Sequence, residues 1–297
     1  SVVAALIQRR KLSLRDKVSK YLPGFAPASL KKEERALKEK VTVEQLLLHT
    51  SGLPSWRPLF ESCSSYKALL KIILATPLET APGTSYRYSD LGFILLGEIA
   101  AKAGGKPLAT LEKKLVFEPL GMRETLRNPA AALKKKIAPT ELDEETKKYV
   151  HGKVHDENAR AGGGITGHAG LFSTTADLAL LCRELLLARK GKSKKLNNGI
   201  IRNFTGRKDS PKGSSRALGW DTPSEKSSAG DLAGKKSFGH TGFTGTSIWI
   251  DPELDLYMIL LSNRVHPSRK NRKISEVRRA FADAVITAVK KSEKKVR

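Results

Sequence analysis

The amino-acid sequence predicts a mixed α/β (α+β) fold: an antiparallel sheet flanked by helices, together with an all-helical region. Three observations carry this. The first half is a series of helix signatures with caps and stops. "TSIWID" and "LDLYMILLSN" are two strand-like runs joined by a few residues around Pro252, an antiparallel hairpin, and the C-terminal stretch repeats apolar residues at helical spacing. The expected division places residues 1–45 and 161–297 in the sheet domain and 46–160 in the mainly helical one. No internal repeat is visible.

In order, "SVVAALIQRRKLSL" opens without methionine or cap on apolar residues that give way to basic ones, like the second half of a buried helix with cations in its last turn. The natural N-terminus is therefore expected upstream. After the connector "KYLPGFAPAS", Thr42 and Gln45 have capping-box spacing, with Gly52 as the expected stop. Ser64 is the expected cap of "YKALLKIILA", and Ser89 that of "DLGFILLGEIAAKAGG", which ends on Gly104 and Gly105. Between Lys134 and Gly170 periodicity fades, which suggests a functional loop or a crossing between domains. Thr174 and Asp177 then restore capping spacing before "LALLCRELLLARKG". Lys190 to Ala233 reads as lysine-rich surface loop, and Ile274, Val277, Phe281, Val285 and Val289 mark the expected buried face of the closing helix.

Composition narrows the function classes. With 39% hydrophobic and 28% charged residues the chain reads as globular rather than disordered, and no apolar run is long enough to cross a bilayer as a helix. Cys63 and Cys182 lack close-spaced ligand partners and read as free buried thiols. The net charge of +24 comes from lysine runs spread along the whole chain, and aromatics are only 6%, so solvated surface is favoured over specific nucleic-acid binding. A weak, salt-sensitive attraction to anionic polymers or envelope surfaces is the electrostatic consequence.

Three short patterns fail on context. "GGGITG" puts Gly162, Gly164 and Gly167 in dinucleotide-binding register, but "HDENARA" stands where a buried strand is needed. "HGKVHDE" spaces His151 and His155 like zinc ligands on a helix, yet Gly152 and polar surroundings argue for loop. Serine–x–x–lysine occurs at Ser29/Lys32, Ser64/Lys67 and Ser292/Lys295, in a connector, at a helix cap and in the charged tail; none reads as a nucleophile.

Two segments remain, "YRYSDLGF" and "GHTGFTGTSIWID". With "KLSLRDKVSKYLP", "VTVEQLLLHTSGLP", "VFEPLGM" and "VHDENARAGGGITGHAGLFSTTADLA" they run in order along nearly the whole chain. Together they resemble the serine hydrolases of the class C β-lactamase and D-Ala-D-Ala carboxypeptidase type, which include penicillin-binding-protein-like carboxypeptidases and esterases. The resemblance implies a β-lactamase/DD-peptidase-like fold with no cofactor and no metal. It implies a small-molecule or peptide substrate (peptidoglycan-like, β-lactam or ester) and a periplasmic or cell-envelope location.

The family carries serine–x–x–lysine, tyrosine–x–asparagine and lysine or histidine–threonine–glycine motifs. The second maps onto Tyr88, Ser89 and Asp90, and the third onto His240, Thr241 and Gly242. Tyr88 is implied as general base and acid, and His240 as the polar or cationic group on the strand, titrating near neutral pH. Asp90 replaces the commoner asparagine, adding a negative charge that raises or redirects nearby proton affinities. Asp90, Thr241 and Gly242 are implied in substrate binding, Gly242 by letting substrate lie along the strand. The backbone N–H of Phe243 is implied as an oxyanion donor. The first motif has no match here, so the nucleophile helix start and the first strands are expected upstream of Ser1, and the chain alone is expected to be inactive. Alternatives are a catalytically inactive peptidoglycan-peptide binding module, an esterase of the same family and a metal-dependent hydrolase.

Overall fold

A computed structural model describes residues 1–296, with side chains described to residue 292. The chain divides into two compact units. One contains Ser1–Ala131, Gly152–Ser173 and Asp209–Ser214; the other contains Ala132–His151, Thr174–Lys208 and Ser215–Arg297. Residues 1–45, expected with the sheet, thus pack in the helical unit, and 132–151 pack in the sheet unit.

In chain order the helical unit begins with α1 (Val2–Gln8), α2 (Val18–Tyr21), α3 (Lys32–Lys38), α4 (Val43–Leu47), α5 (Tyr66–Ala75), α6 (Asp90–Gly104), α7 (Leu108–Glu112), α8 (Glu118–Leu120) and β1 (Leu126–Arg127). The hairpin β2 (Leu142–Asp143) and β3 (Lys148–Tyr149) of the sheet unit intervenes before α9 (Glu157–Ala161) and β4 (Leu171–Phe172). β4 returns to pair antiparallel with β1. At the centre is α6, in which Leu91, Ile94, Leu95 and Ile99 are fully buried, and α1, α4 and α7 pack on it. A helix apolar on several sides has this position because no single neighbour can cover it.

Local chemistry sets these helices. The Thr42 hydroxyl accepts from the Gln45 N–H at 3.3 Å while the Gln45 side chain accepts from the Thr42 N–H at 3.0 Å, a complete capping box on α4. The helix stops at Leu47, short of Gly52. Ser65, not Ser64, caps α5, because it is Ser65 whose hydroxyl accepts from the Ala68 N–H, at 3.3 Å. Arg9 and Arg10 fall just beyond α1 instead of in its last turn.

The sheet unit adds α10 (Thr175–Arg189), α11 (Asn198–Thr205), β5 (Arg216–Ala217), β6 (Trp220–Asp221), β7 (Phe238–Thr241), β8 (Ser247–Asp251), β9 (Leu256–Leu260) and α12 (Ile274–Val296). The strands form an antiparallel sheet in sequence order, with β8 and β9 the hairpin expected from the sequence. Alternation along β8 gives the sheet two apolar faces. Phe238 and Ile250 pack with Cys182, Leu185 and Leu186 of α10 and Ile201 of α11, while Trp249 and Met258 pack with Ala282 and Ile286 of α12. The result is a helix–sheet–helix sandwich.

Two expectations change here. Lys190 to Ala233 holds α11 and two short strands, since the Asn197 side chain caps the Ile200 N–H at 3.0 Å and Ile201 and Phe204 bury one helix face. On α12 the expected Phe281 and Val285 pack beside the sheet cluster, but the most buried line is Arg278, Ala282 and Ile286, and Val277 is 49% exposed. Small Ala282 suits a sheet face already filled by Trp249. Cys63 and Cys182 are free and buried, and burial pushes the Cys182 thiol up to about 12.

Because the capping box satisfies two otherwise orphaned donors, T42A should cost about 1 kcal/mol in urea unfolding, and T42S should retain most of that.

Candidate functional site

In the helical unit, the turn after α4 and the start of α6 are fastened to one another. His49 follows α4 with a positive φ of 58° and is buried. The Ser89 N–H donates to His49 Nδ1 at 2.9 Å, the Ser89 hydroxyl donates to the Pro54 carbonyl at 2.6 Å, and the Gly92 N–H donates to the Ser89 hydroxyl at 3.1 Å. Since a backbone N–H must donate, His49 Nδ1 is the unprotonated nitrogen. The His49 ring stacks on Phe93 at 4.7 Å and lies 4.3 Å from the Tyr88 ring. Tyr88 is nevertheless 38% exposed, so its phenol is held from behind and reachable from solvent.

Asp90 opens α6, with its N–H donating to the Ser55 carbonyl at 2.9 Å. Its side chain comes together with Asp156, the N-cap of α9, and His168. His168 Nε2 donates to Asp156 Oδ1 at 2.9 Å. Burial pushes the Asp90 carboxyl above the ordinary carboxylate range; His168 pulls it back and Asp156 adds to the rise. Asp156 also suffers burial, but the His168 bond and the Ala159 N–H outweigh it and hold this carboxyl low.

The glycine-rich "GGGITG" follows a helix, α9, and serves to seat this loop on α6. A Cβ on Gly97 would lie 2.9 Å from the Gly167 Cα, and one on Gly167 would collide with the Phe93 carbonyl. From the other side Arg127 donates to the Ala169 carbonyl while pairing with Glu112 at 2.6 Å, both side chains buried. His151 is elsewhere: it belongs to the sheet unit, where its Nε2 lies 2.8 Å from the carbonyls of Lys134 and Ile137. His155 belongs to the helical unit.

In the sheet unit, His240 and Thr241 end β7. β6 pairs with β7 only at Asp221 and Gly239, so it stops short of them. Arg216 Nη1 lies 3.4 Å from His240 Nε2, and His240 Nδ1 lies 2.9 Å from the Thr241 carbonyl. An arginine only donates, so Nε2 accepts and the ring proton is on Nδ1. Burial lowers the His240 pKa and Arg216 lowers it further, against the pull of the Thr241 carbonyl. His240 is thus a neutral polar group near pH 7, with its titration displaced to the acid side.

Gly242 begins the turn into β8. Its N–H donates to the Thr246 carbonyl at 2.8 Å, and a Cβ there would collide with the Thr246 hydroxyl, so the turn itself requires glycine. Arg278 donates to the carbonyls of Gly242 and Thr246 at 2.6 and 2.8 Å. Arg264 donates to the Phe243 carbonyl at 2.7 Å and covers the exposed Phe243 ring at 4.1 Å. The structure therefore groups Tyr88 with Asp90 in one unit and His240, Thr241, Gly242 and Phe243 in the other. Sequence reasoning missed His49, His168, Arg216 and Arg278 as partners of these residues.

The family described as Beta-lactamase matches residues 1–282. This chain belongs to the β-lactamase family. A Salmonella typhi protein named "Putative D-alanyl-D-alanine carboxypeptidase" is 33% identical over 296 residues, spanning 91% of this chain and 67% of that protein. Among solved structures, the LovD6 mutant of simvastatin synthase from Aspergillus terreus has a TM-score of 0.70 at 19% identity, over 98% of this chain and 78% of that one. The octameric penicillin-binding protein homologue from Pyrococcus abyssi has a TM-score of 0.68 at 22% identity, over 97% of this chain and 63% of that one. These likenesses establish the β-lactamase/penicillin-binding-protein fold.

For a β-lactamase-family chain with this loop packing, G167A should cost about 1–3 kcal/mol in urea unfolding, since the new methyl meets backbone that cannot swing aside. The His240 pKa lies below its ordinary value of 6.5 in the folded state. As pH falls below 6.5 the unfolded chain takes up a proton that the folded one does not, so stability drops until the folded pKa is passed. H240N should flatten the fall of the melting temperature below about pH 6.5 relative to the parent.

Proposed function

We propose that this chain is part of a serine hydrolase that forms and hydrolyses an acyl-enzyme on D-Ala-D-Ala-like peptides or related amides and esters. The observation that carries the reading is Tyr88: an exposed phenol fixed at the start of α6 by the His49 ring and the bonds of Ser89. A proton-transfer group needs this combination of access and fixed direction. In the reaction a serine hydroxyl attacks the substrate carbonyl. Tyr88 takes the hydroxyl proton and returns it to the leaving amine or alcohol, and water then releases the acyl group. Thr241 binds a polar group of the substrate, and the Phe243 N–H donates to the oxyanion.

The arginines that crowd the β7–β8 turn favour a substrate bearing a carboxylate. The carboxypeptidase name of the Salmonella typhi relative supports the same substrate class. A periplasmic or cell-envelope location follows from that substrate.

We place the nucleophile outside these 297 residues. Ser29 is in a turn ahead of α3, and Ser64 precedes the Ser65 cap of α5, so neither shares a helical turn with its lysine. The Ser292 hydroxyl donates to the Ala288 carbonyl at 3.1 Å, and the Lys295 side chain lies outside the described residues.

Intact-mass analysis after exposure to a fluorophosphonate and to a labelled penicillin tests this. The 297-residue chain should stay unmodified, and the longer product of the same gene should acquire one adduct on an upstream serine. Y88F in the longer product should slow acylation by roughly 100- to 10,000-fold. A stable adduct on Ser29 or Ser64 would overturn the placement of the nucleophile. No adduct and no turnover of D-Ala-D-Ala peptides by the longer product would overturn the hydrolase in favour of a peptide-binding module.

A further inference from the structure

Asp90, Asp156 and His168 reach one point from three places: the first turn of α6, the cap of α9 and the loop that follows it. One donor atom of each lies within 4.8 Å of the other two. The charge of Asp156 is met by its neighbours, and that of Asp90 is not. Asp156 is occupied by the His168 ring and the Ala159 N–H. The Asp90 carboxylate accepts no hydrogen bond among the described residues, and it faces Asp156 as a second anion. Neither carboxylate has a lysine or arginine ion-pair partner among the described residues, in a chain with 54 Lys and Arg against 30 Asp and Glu.

The histidine shows the same deficit. The His168 side chain is only 4% exposed, and Nδ1 is buried without a hydrogen-bond partner. A buried polar atom left unmatched costs about 1–3 kcal/mol, and two desolvated carboxylates side by side add to that. A cation among the three groups, taken up by Nε2 in place of its proton, would offset the crowding of the two carboxylates.

We propose that Asp90, Asp156 and His168 form a binding site for a divalent transition-metal cation of the zinc class. Two carboxylates and one neutral imidazole neutralise a doubly charged ion and leave a fourth position for water. The imidazole selects zinc-like ions over magnesium or calcium, which prefer all-oxygen shells. Ligand atoms around zinc are roughly 3.3 Å apart, so the side chains must draw inward by about an ångström, a rotamer-scale adjustment. This differs from the sequence expectation of no metal and from the rejected His151/His155 pair; only the neighbouring Asp156 of that run takes part. Binding is independent of acyl transfer, so it stands or falls separately from the hydrolase reading.

The test uses the 297-residue chain, stripped with a chelator and titrated with zinc chloride by calorimetry, with metal content measured after desalting. One equivalent of zinc per chain should bind, and millimolar magnesium should give no binding. D90N and H168Q should each weaken zinc binding on the order of 10- to 100-fold, while H151A should leave it unchanged. If circular dichroism shows H168Q to be unfolded, D90N decides alone, since its change is confined to a carboxylate without a hydrogen-bond partner. Absence of stoichiometric zinc from the parent protein, or zinc affinity unaltered by D90N, would overturn the proposal.

Discussion

The candidate residues of the helical unit depend on Ser89. Its N–H, its hydroxyl hydrogen and its hydroxyl oxygen are all engaged, with His49, Pro54 and Gly92 respectively. The residue is buried, so each bond replaces one that water would otherwise make. The consequence extends in both directions along the chain. Tyr88 is held one residue before this joint and Asp90 one residue after it, so the phenol and the carboxylate inherit their directions from the same three bonds. Alanine there would strand the Pro54 carbonyl and the Gly92 N–H while leaving the His49 bond in place. Tyr88 and Asp90 would then lose alignment before the fold lost its core.

The candidate residues of the sheet unit rest on a different constraint, the two-faced packing of β8. His240 pairs with Ile248 in register, and Ile248 and Ile250 pack on the α10 side. His240 therefore lies on the α10 face of the sheet, where it is half-buried, and burial there favours its neutral form. A lysine at this point would bring a fixed charge next to Arg216. A histidine instead accepts the arginine bond and donates to a carbonyl. The replacement changes the chemistry of the strand from charge to hydrogen bonding.

What was legible in the sequence was local. Thr42 with Gln45, Ser89 ahead of α6, Thr174 with Asp177 and the β8–β9 hairpin are all set by interactions a few residues apart, and each forms where its spacing says. The misses are non-local or ambiguous at short range. His49 reads as one more polar residue after a helix until its positive φ and its bond to Ser89, forty residues on, are seen. His168 looks like part of a glycine-rich segment until the close approach of Gly167 to Phe93 and Gly97 brings its loop against α6. α11 was hidden because Gly199 and the surrounding lysines mask a cap and two apolar residues. On α12 several apolar stripes overlap, and the sheet chose the one that Ala282 and Ile286 define.

The large positive charge also reads differently once placed. Lysine runs along exposed segments do what solvated charge does and carry little structural information. Arg216, Arg264 and Arg278 are not of that kind: they converge on four acceptors between His240 and Thr246, the His240 ring and the carbonyls of Gly242, Phe243 and Thr246. A guanidinium that satisfies a turn carbonyl still presents its charge to whatever lies beyond, and burial weakens screening by salt. The electrostatics of this turn therefore come from three fixed arginines, and the +24 of the whole chain is a poor guide to them. Charge counted over a sequence bounds solubility and steering; charge fixed against a strand end sets the local potential there.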